Sequence, residues 1–331
     1  MAVRILAKRI VPVVALDRAE SAEPLAEALL AGIELGGTKT VVAIGSADGG
    51  IIEETRFPTT LPDETLGFAI DWLRGRGQPE AIGIAAFGPV GIDPNRENHG
   101  IILATPKSGW AGFSLVNALA TAFPDARLTL DTDVNAAALA EAQIGAAAGL
   151  DDVAYITIGT GIGGGILSGG RLIHGALHPE FGHLKVPRKP GDDFPGVCPF
   201  HGDCLEGLAS GPAIAARWGK PAHKLPAGHP AWETQAWYLA HGILSLLAIV
   251  SPSRVIVGGG VSQADGLHRQ INSRLVEIAA GYFPTVLAPG YVVPPALGQD
   301  AGIRGALLLA ASSRSAHWPG SFVLRQVGRA H

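Results

Sequence analysis

Residues 152–168 read DVAYITIGTGIGGGILS. An apolar strand pattern runs into Gly159-Thr160-Gly161, and Gly163 follows as the chain turns back through Ile166, so the pattern predicts a β-hairpin with a glycine tip. A Rossmann or P-loop fingerprint would need a helix directly after the glycines, and none is patterned here. The same arrangement stands earlier, in GIELGGTKTVVAIGS at residues 32–46, with Gly36, Gly37, Thr38 and Lys39 at the tip. Glycine lets the backbone approach an anion closely, while Thr38 and Lys39 add a hydroxyl and a charge. Either hairpin alone is compatible with an ordinary tight turn. The repetition, near residues 33–45 and 153–167, is more informative. It predicts a duplicated fold whose two tips close on a polyphosphate with backbone N–H donors.

Strands and helices alternate around the hairpins. DETLGFAIDWLRG (63–75) patterns as a helix with Asp63 or Thr65 near its start, and AIGIAAFG (81–88) as a buried strand. That strand places Gly88 at the carboxyl edge of a sheet, where α/β proteins bind ligands. GFSLVNALATAF (112–123) is helical, RLTL (127–130) is a strand, and DTDVNAAALAEAQIG (131–145) turns into an alanine-rich helix. Asp131 and Asp133 both sit at this strand-to-helix junction, where an aspartate serves as an N-cap or as a general base. Spacing leaves that choice open. Further on, RVIVGGGVS (254–262) puts Gly258, Gly259 and Gly260 at another sheet edge, ahead of Val261. YVVPPAL (291–297) is a strand and GIRGALLLAAS (302–312) a closing helix.

A third region carries different chemistry. Residues 178–212 read HPEFGHLKVPRKPGDDFPGVCPFHGDCLEGLASGP and hold both cysteines of the chain. His183, Cys198, His201 and Cys204 follow the spacing H-x14-C-x2-H-x2-C, four nitrogen and sulfur donors of the kind tetrahedral zinc takes. Glu180 and Glu206 flank the four without being needed to complete them. The expectation is a structural metal that holds a loop, with the loop presenting carboxylates to a polar substrate.

Composition sets the limits. With 331 residues, 47% hydrophobic and 16% charged, the chain can bury a sizeable core and is not patterned as disordered. A net charge of −4 gives no electrostatic case for nucleic acid or an anionic membrane surface. Two cysteines make no disulfide framework, and a reducing cytoplasm suits a thiolate metal site. No apolar run approaches the roughly 20 residues of a membrane span. MAVRILAKRIVPVVAL at the start has the basic residues and short apolar run of a weak signal peptide, interrupted by Pro12 and lacking a small-residue cleavage site. SAEPLAEALLAG then patterns as a short helix with Ser21 as a possible N-cap.

Taken together, GIELGGTKT, LDTDVNAAALAE, ITIGTGIGGGI, HPEFGH, CPFHGDCLEGLASGPA and VIVGGGV resemble the ROK sugar kinases, within the actin/hexokinase fold. FGPVGID, ATPKSGW, LEGLASGPAIAARWG, HPAWE and VPPALG resemble the zinc-containing bacterial ROK fructokinases more than the glucokinases. The likeness covers about residues 32–311. It implies an α/β, ribonuclease H-like fold in two lobes, with duplicated β-sheet domains and an inserted zinc loop at 178–211. The lobes are expected at 31–130 and 131–312, with an extension at 1–30 and a tail at 313–331. It further implies transfer of a phosphoryl group from ATP, with Mg²⁺, to a hexose, most simply D-fructose, by a cytoplasmic homodimer. The family's base matches Asp133. Gly36 to Lys39 match one phosphate loop; Gly159, Thr160, Gly161 and Gly163 match the other; Gly258 to Val261 match a turn that faces adenosine. Sugar contacts match Gly88, Thr132, Glu180, His183 and Glu206, with His183 also a zinc ligand beside Cys198, His201 and Cys204. Magnesium would bridge the nucleotide phosphates, since the chain shows no dedicated oxygen cage.

There are departures from the family's pattern. The metal set has a histidine in place of a third cysteine. Thr132 stands where many members carry asparagine, which argues against a glucose specialist, and Glu34 where aspartate is common in the first hairpin. A kinase for mannose, glucose or an amino sugar is the alternative enzymatic reading. A sugar-responsive regulator is the other class; it needs a helix-turn-helix module, for which the roughly 30 residues ahead of GIELGG offer one short helix.

Overall fold

The computed structural model describes residues 29–284 and 287–313. The short helix expected near Ser21 and nearly all of the tail expected at 313–331 lie outside the described residues.

Strand β1 (Leu30–Leu35), β2 (Lys39–Gly45) and β3 (Ile51–Pro58) form an antiparallel meander, followed by α1 (Pro62–Arg74) and β4 (Ala81–Ala86). Then come α2 (Leu115–Ala122), β5 (Arg127–Thr132) and α3 (Asp133–Ile144). The first sheet has the order β3-β2-β1-β4-β5, with β1, β4 and β5 parallel. A second meander of β6 (Val153–Ile158), β7 (Ile162–Ser168) and β8 (Arg171–Leu172) leads into the cysteine-bearing loop. That loop ends in α4 (Leu205–Ala209) and α5 (Gly211–Trp218), then α6 (Ala231–Val250), β9 (Arg254–Gly258), α7 (Leu267–Ala279), β10 (Val292–Val293) and α8 (Ala301–Ser312). The second sheet runs β10-β9-β6-β7-β8, with β10, β9 and β6 parallel. Strand for strand, the duplication read from the two glycine hairpins is present.

The burial follows the position of each strand. β1 and β4 are central and covered on both faces, so LAGIEL and AIGIAA are apolar with little alternation. β3 lies at an edge, and its Glu53, Glu54 and Arg56 are the charged residues an edge strand tolerates. Between the sheets lie α3 and α8, both rich in alanine. α8 crosses β1 and β4 so closely that a Cβ on Gly32 would meet Ala306 and Leu307 at 3.2 Å, and a Cβ on Gly83 would collide with the Ala306 backbone. Small residues at this crossing bring the elements together, and Leu307, Leu309 and Ile303 fill the space on either side.

Local differences from the pattern have local causes. α1 begins at Pro62 without a side-chain cap; Thr65 instead accepts the Thr60 N–H at 2.9 Å. α3 is capped by Thr132, whose hydroxyl accepts the Asn135 N–H at 3.1 Å, so neither aspartate is the N-cap. Glu141, fully buried in α3, takes the N–H groups of Ala146, Ala296 and Leu297, which fixes the turn that delivers α8.

Candidate active site and metal cluster

A cleft of about 600 Å³ opens between the carboxyl edges of the two sheets. Its walls come from Gly37, Phe87–Pro89 and Ala104–Pro106 on one side, and from Thr132–Val134, Gly159–Gly164, His178–Glu180 and the cysteine loop on the other. Asp133, Glu180 and Glu206 all line it, and no lysine or arginine is among the lining residues.

The structure separates the two aspartates of DTDV. Asp131 is buried and fully engaged: Oδ1 accepts from the Thr132 N–H and from Asn135 Nδ2 at 2.7 Å, and Oδ2 from His174 Nε2 at 2.9 Å. Asp133 faces the cleft, with Oδ1 accepting the adjacent Val134 N–H at 2.8 Å. Burial pushes the Asp133 carboxyl up to about 6, with the Glu180 charge adding to it. A carboxylate in that range is ionised at neutral pH and basic enough to accept a hydroxyl proton as the oxygen reacts.

Glu34, which the family pattern marked only as a departure, belongs to the same constellation. Its carboxyl lies against the start of α8, so close that a Cβ on Gly302 would meet it at 2.6 Å. Glu34 and Asp133 line one small cavity together with Tyr155, Gly259 and Gln299. Burial and then the Asp133 charge raise Glu34 to about 7, and its Oε2 is a buried atom lacking a hydrogen-bond partner. The unpaired Glu34 oxygen is of the kind a hard divalent cation such as Mg²⁺ takes.

The hairpin tips are held by their carbonyls. Gly36 O accepts from Thr59 Oγ1 at 2.8 Å, Gly37 O from Lys107 Nζ at 2.6 Å and Thr38 O from the Thr59 N–H at 3.0 Å. At the second tip Gly159 O accepts the Gly211 N–H at 2.8 Å, and the Ile162 N–H donates to Glu206 Oε2 at 2.9 Å. A Cβ on Gly161 would meet that same carboxylate oxygen at 2.6 Å. Gly163 lies in β7 itself, where Val134 occupies the space a side chain would need. Gly258 ends β9, Gly259 has φ +85° and crosses the Ile158 backbone, Gly260 is open, and Val261 is buried.

Of the expected sugar-side residues, Gly88, Thr132, Glu180, His183 and Glu206 all line the cleft. Thr132 offers little beyond its cap, being 2% exposed. Glu180 is pushed up to about 7 by burial and then by the charge of Glu206. A residue without a role in the sequence reading, His178, is buried here: Nε2 accepts the Val90 N–H at 3.2 Å, and Nδ1 lies 3.6 Å from Glu180 Oε1. The Val90 bond fixes the tautomer, leaving the proton on Nδ1 beside Glu180.

The four metal-type residues converge. One donor atom each from His183, Cys198, His201 and Cys204 lies within 4.8 Å of the others. Cys198 Sγ stands 3.8 Å from His183 Nδ1 and 3.7 Å from His201 Nδ1, and Cys204 Sγ 3.6 Å from His183 Nδ1. Tetrahedral zinc, with bonds of about 2.3 Å to sulfur and about 2.0 Å to nitrogen, would set such donors roughly 3.5 Å apart. The donor set fits zinc. With Nδ1 turned to the sulfurs, His183 keeps Nε2 for another partner.

The ROK family profile matches residues 30–313. The chain belongs to the ROK family. A fructokinase from Zymomonas mobilis is 41% identical over 292 residues, 86% of this chain and 96% of that one. A fructokinase from Pediococcus pentosaceus is 39% identical over 282 residues, 85% and 97% of the two chains. The crystal structure of a ROK hexokinase from Thermus thermophilus is similar at a TM-score of 0.69 and 30% identity, covering 85% of this chain and 97% of that one. In this ROK protein no helix among the described residues is long and apolar enough to cross a membrane.

Proposed function

We propose that the protein transfers the terminal phosphoryl group of ATP to D-fructose, giving D-fructose 6-phosphate and ADP. The observation that carries this reading is the placement of Asp133: a cleft-facing carboxylate at about 6, beside both glycine tips and opposite an acidic wall. Fructokinases among the relatives supply the choice of sugar.

In this reading the hairpin tips hold the phosphates through backbone amides, and Gly258–Val261 face the adenosine. Asp133 accepts the proton of the attacking hydroxyl as that oxygen bonds to phosphorus and the bond to the ADP oxygen breaks. Glu180 and Glu206 accept hydrogen bonds from the remaining hydroxyls, and His183 donates one from Nε2. Glu34 would hold the magnesium ion, which would supply charge neutralisation for the phosphates, and Asp133 stays free as the base. Zinc on His183, Cys198, His201 and Cys204 would be structural, because all four positions come from protein.

Purified protein with ATP and Mg²⁺, assayed against fructose, mannose, glucose and N-acetylmannosamine, tests the reading. The expectation is a kcat/KM for fructose at least tenfold above each other sugar. Turnover on none of them would end the kinase assignment, and preference for another hexose would end the fructose assignment.

A further inference from the structure

The clasp on the first glycine tip has a consequence for phosphoryl transfer. In a trans peptide the C=O of one residue and the N–H of the next point in opposite directions. Where Lys107 Nζ holds the Gly37 carbonyl at 2.6 Å, the Thr38 N–H points away from the lysine; where Thr59 Oγ1 holds the Gly36 carbonyl, the Gly37 N–H points away from Thr59. The neighbouring peptides are held by Thr59, through Gly36 O and Thr38 O, and a Cβ on Gly37 would meet nothing within 4 Å, so no side chain packs against the Gly37–Thr38 peptide from that side. Lys107 is the side chain that holds the Gly37 carbonyl, and with it the direction of the Thr38 N–H.

Lys107 also belongs to the acceptor side of the cleft. Ala104, Thr105 and Pro106 line the cavity immediately before it, and its N–H reaches Thr105 Oγ1 at 3.3 Å. Three residues on, Trp110 is fully buried and donates from Nε1 to Thr60 O at 2.7 Å, alongside the Lys107 Nζ bond to Thr59 O at 3.1 Å. The segment is thus fastened to the end of β3 at two points, and the lysine reaches from there to the tip. Both partners of the ammonium are neutral carbonyls, which leave its positive charge uncancelled. That matters in a cleft lined by three carboxylates and by no basic side chain.

We infer that Lys107 is a positioning residue for phosphoryl transfer: it turns the amides of the Gly37–Thr38 tip toward the transferred phosphate, polarises that peptide, and links the tip to the acceptor wall. A cation hydrogen-bonded to a peptide carbonyl strengthens the N–H on the other side as a donor to an anion. This inference rests on the kinase reading, and its test separates the two.

Wild-type protein, Lys107→Met and Lys107→Arg are compared in fructose phosphorylation, in ATP-analogue binding by calorimetry, and in fructose binding without nucleotide. Lys107→Met is expected to lower kcat about 10- to 100-fold and weaken nucleotide binding several-fold, with the fructose Kd within twofold of wild type. Lys107→Arg should recover at least a tenth of the wild-type rate. An unchanged kcat and nucleotide Kd in Lys107→Met would overturn the inference while leaving the kinase reading intact. Equal losses of fructose and nucleotide binding with a lower Tm would also overturn it, as a folding effect. If wild-type protein showed no turnover the kinase reading would fail, and an unchanged analogue Kd in Lys107→Met would then dismiss the lysine as well.

Discussion

Glu206 Oε2 accepts the Ile162 N–H at 2.9 Å, tying the helix that follows the cysteine loop to the second glycine hairpin. One carboxylate thus both lines the cleft, where we propose that the sugar binds, and holds the hairpin tip proposed for phosphate. Glu206→Ala should raise the KM for ATP as well as for sugar, each about 10- to 100-fold, since bonds to a charged acceptor contribute about 1.5–3 kcal/mol. Glu206→Gln keeps an oxygen for Ile162 and should raise the sugar KM alone. Steady-state kinetics of the pair check this; an ATP KM equally raised in both variants would mean that the charge, not the tether, matters at the hairpin.

His183 and Cys198 line the same cleft, so removing the zinc proposed there should reach the proposed sugar site. Chelation is expected to lower Tm by on the order of 10 °C and to weaken fructose binding, because folding free energy and metal binding are linked. Calorimetry on protein shown to be zinc-free gives the answer. An unchanged Tm would show that the cluster is not structural.

As the proposed base Asp133 must be ionised, and burial pushes its carboxyl up to about 6. The kcat/KM should therefore be level above pH 7 and fall tenfold per unit below about pH 6, reporting the free enzyme. Burial is the main cause of the Asp133 value and Glu180, itself at about 7, is mostly neutral at the limb, so Glu180→Gln should move the acid limb by less than about half a pH unit even where it costs rate. An acid limb displaced by a full pH unit would contradict burial as the main cause.

Glu34 predicts an opposite pH trend, in stability. Its folded value of about 7 lies above the ordinary 4.5, so between these values the folded chain binds more protons than the unfolded one. That contribution is fully present below about pH 4.5 and is lost as pH rises toward 7. In metal-free protein Glu34→Gln should raise Tm by about 5 °C at pH 8 and by almost nothing at pH 4.5. The same variant should lose most activity. A Tm gain independent of pH would point to packing instead of charge.

Much of the fold was legible because glycine hairpins and apolar strands carry a period of two. The convergence of His183, Cys198, His201 and Cys204 was legible because four nitrogen and sulfur donors in a short span have few other uses. What the sequence concealed lies in contacts between distant segments. Asp131 and Asp133 occupy the same junction, and only His174 and Asn135, which engage Asp131, reveal which carboxylate is left for the cleft. Glu34 reads as an ordinary strand residue until α8, from the far end of the chain, buries it. His178 and Lys107 act on backbone groups of Val90 and Gly37, and a backbone partner leaves no trace in residue type.

The account turns on Asp133, and Asp133→Asn tests it most directly, because the amide keeps the shape and removes the base. Fructose phosphorylation should fall about 10²- to 10⁴-fold in kcat, with fructose binding retained within a few-fold by calorimetry. A variant that turns over within threefold of wild type would contradict the account.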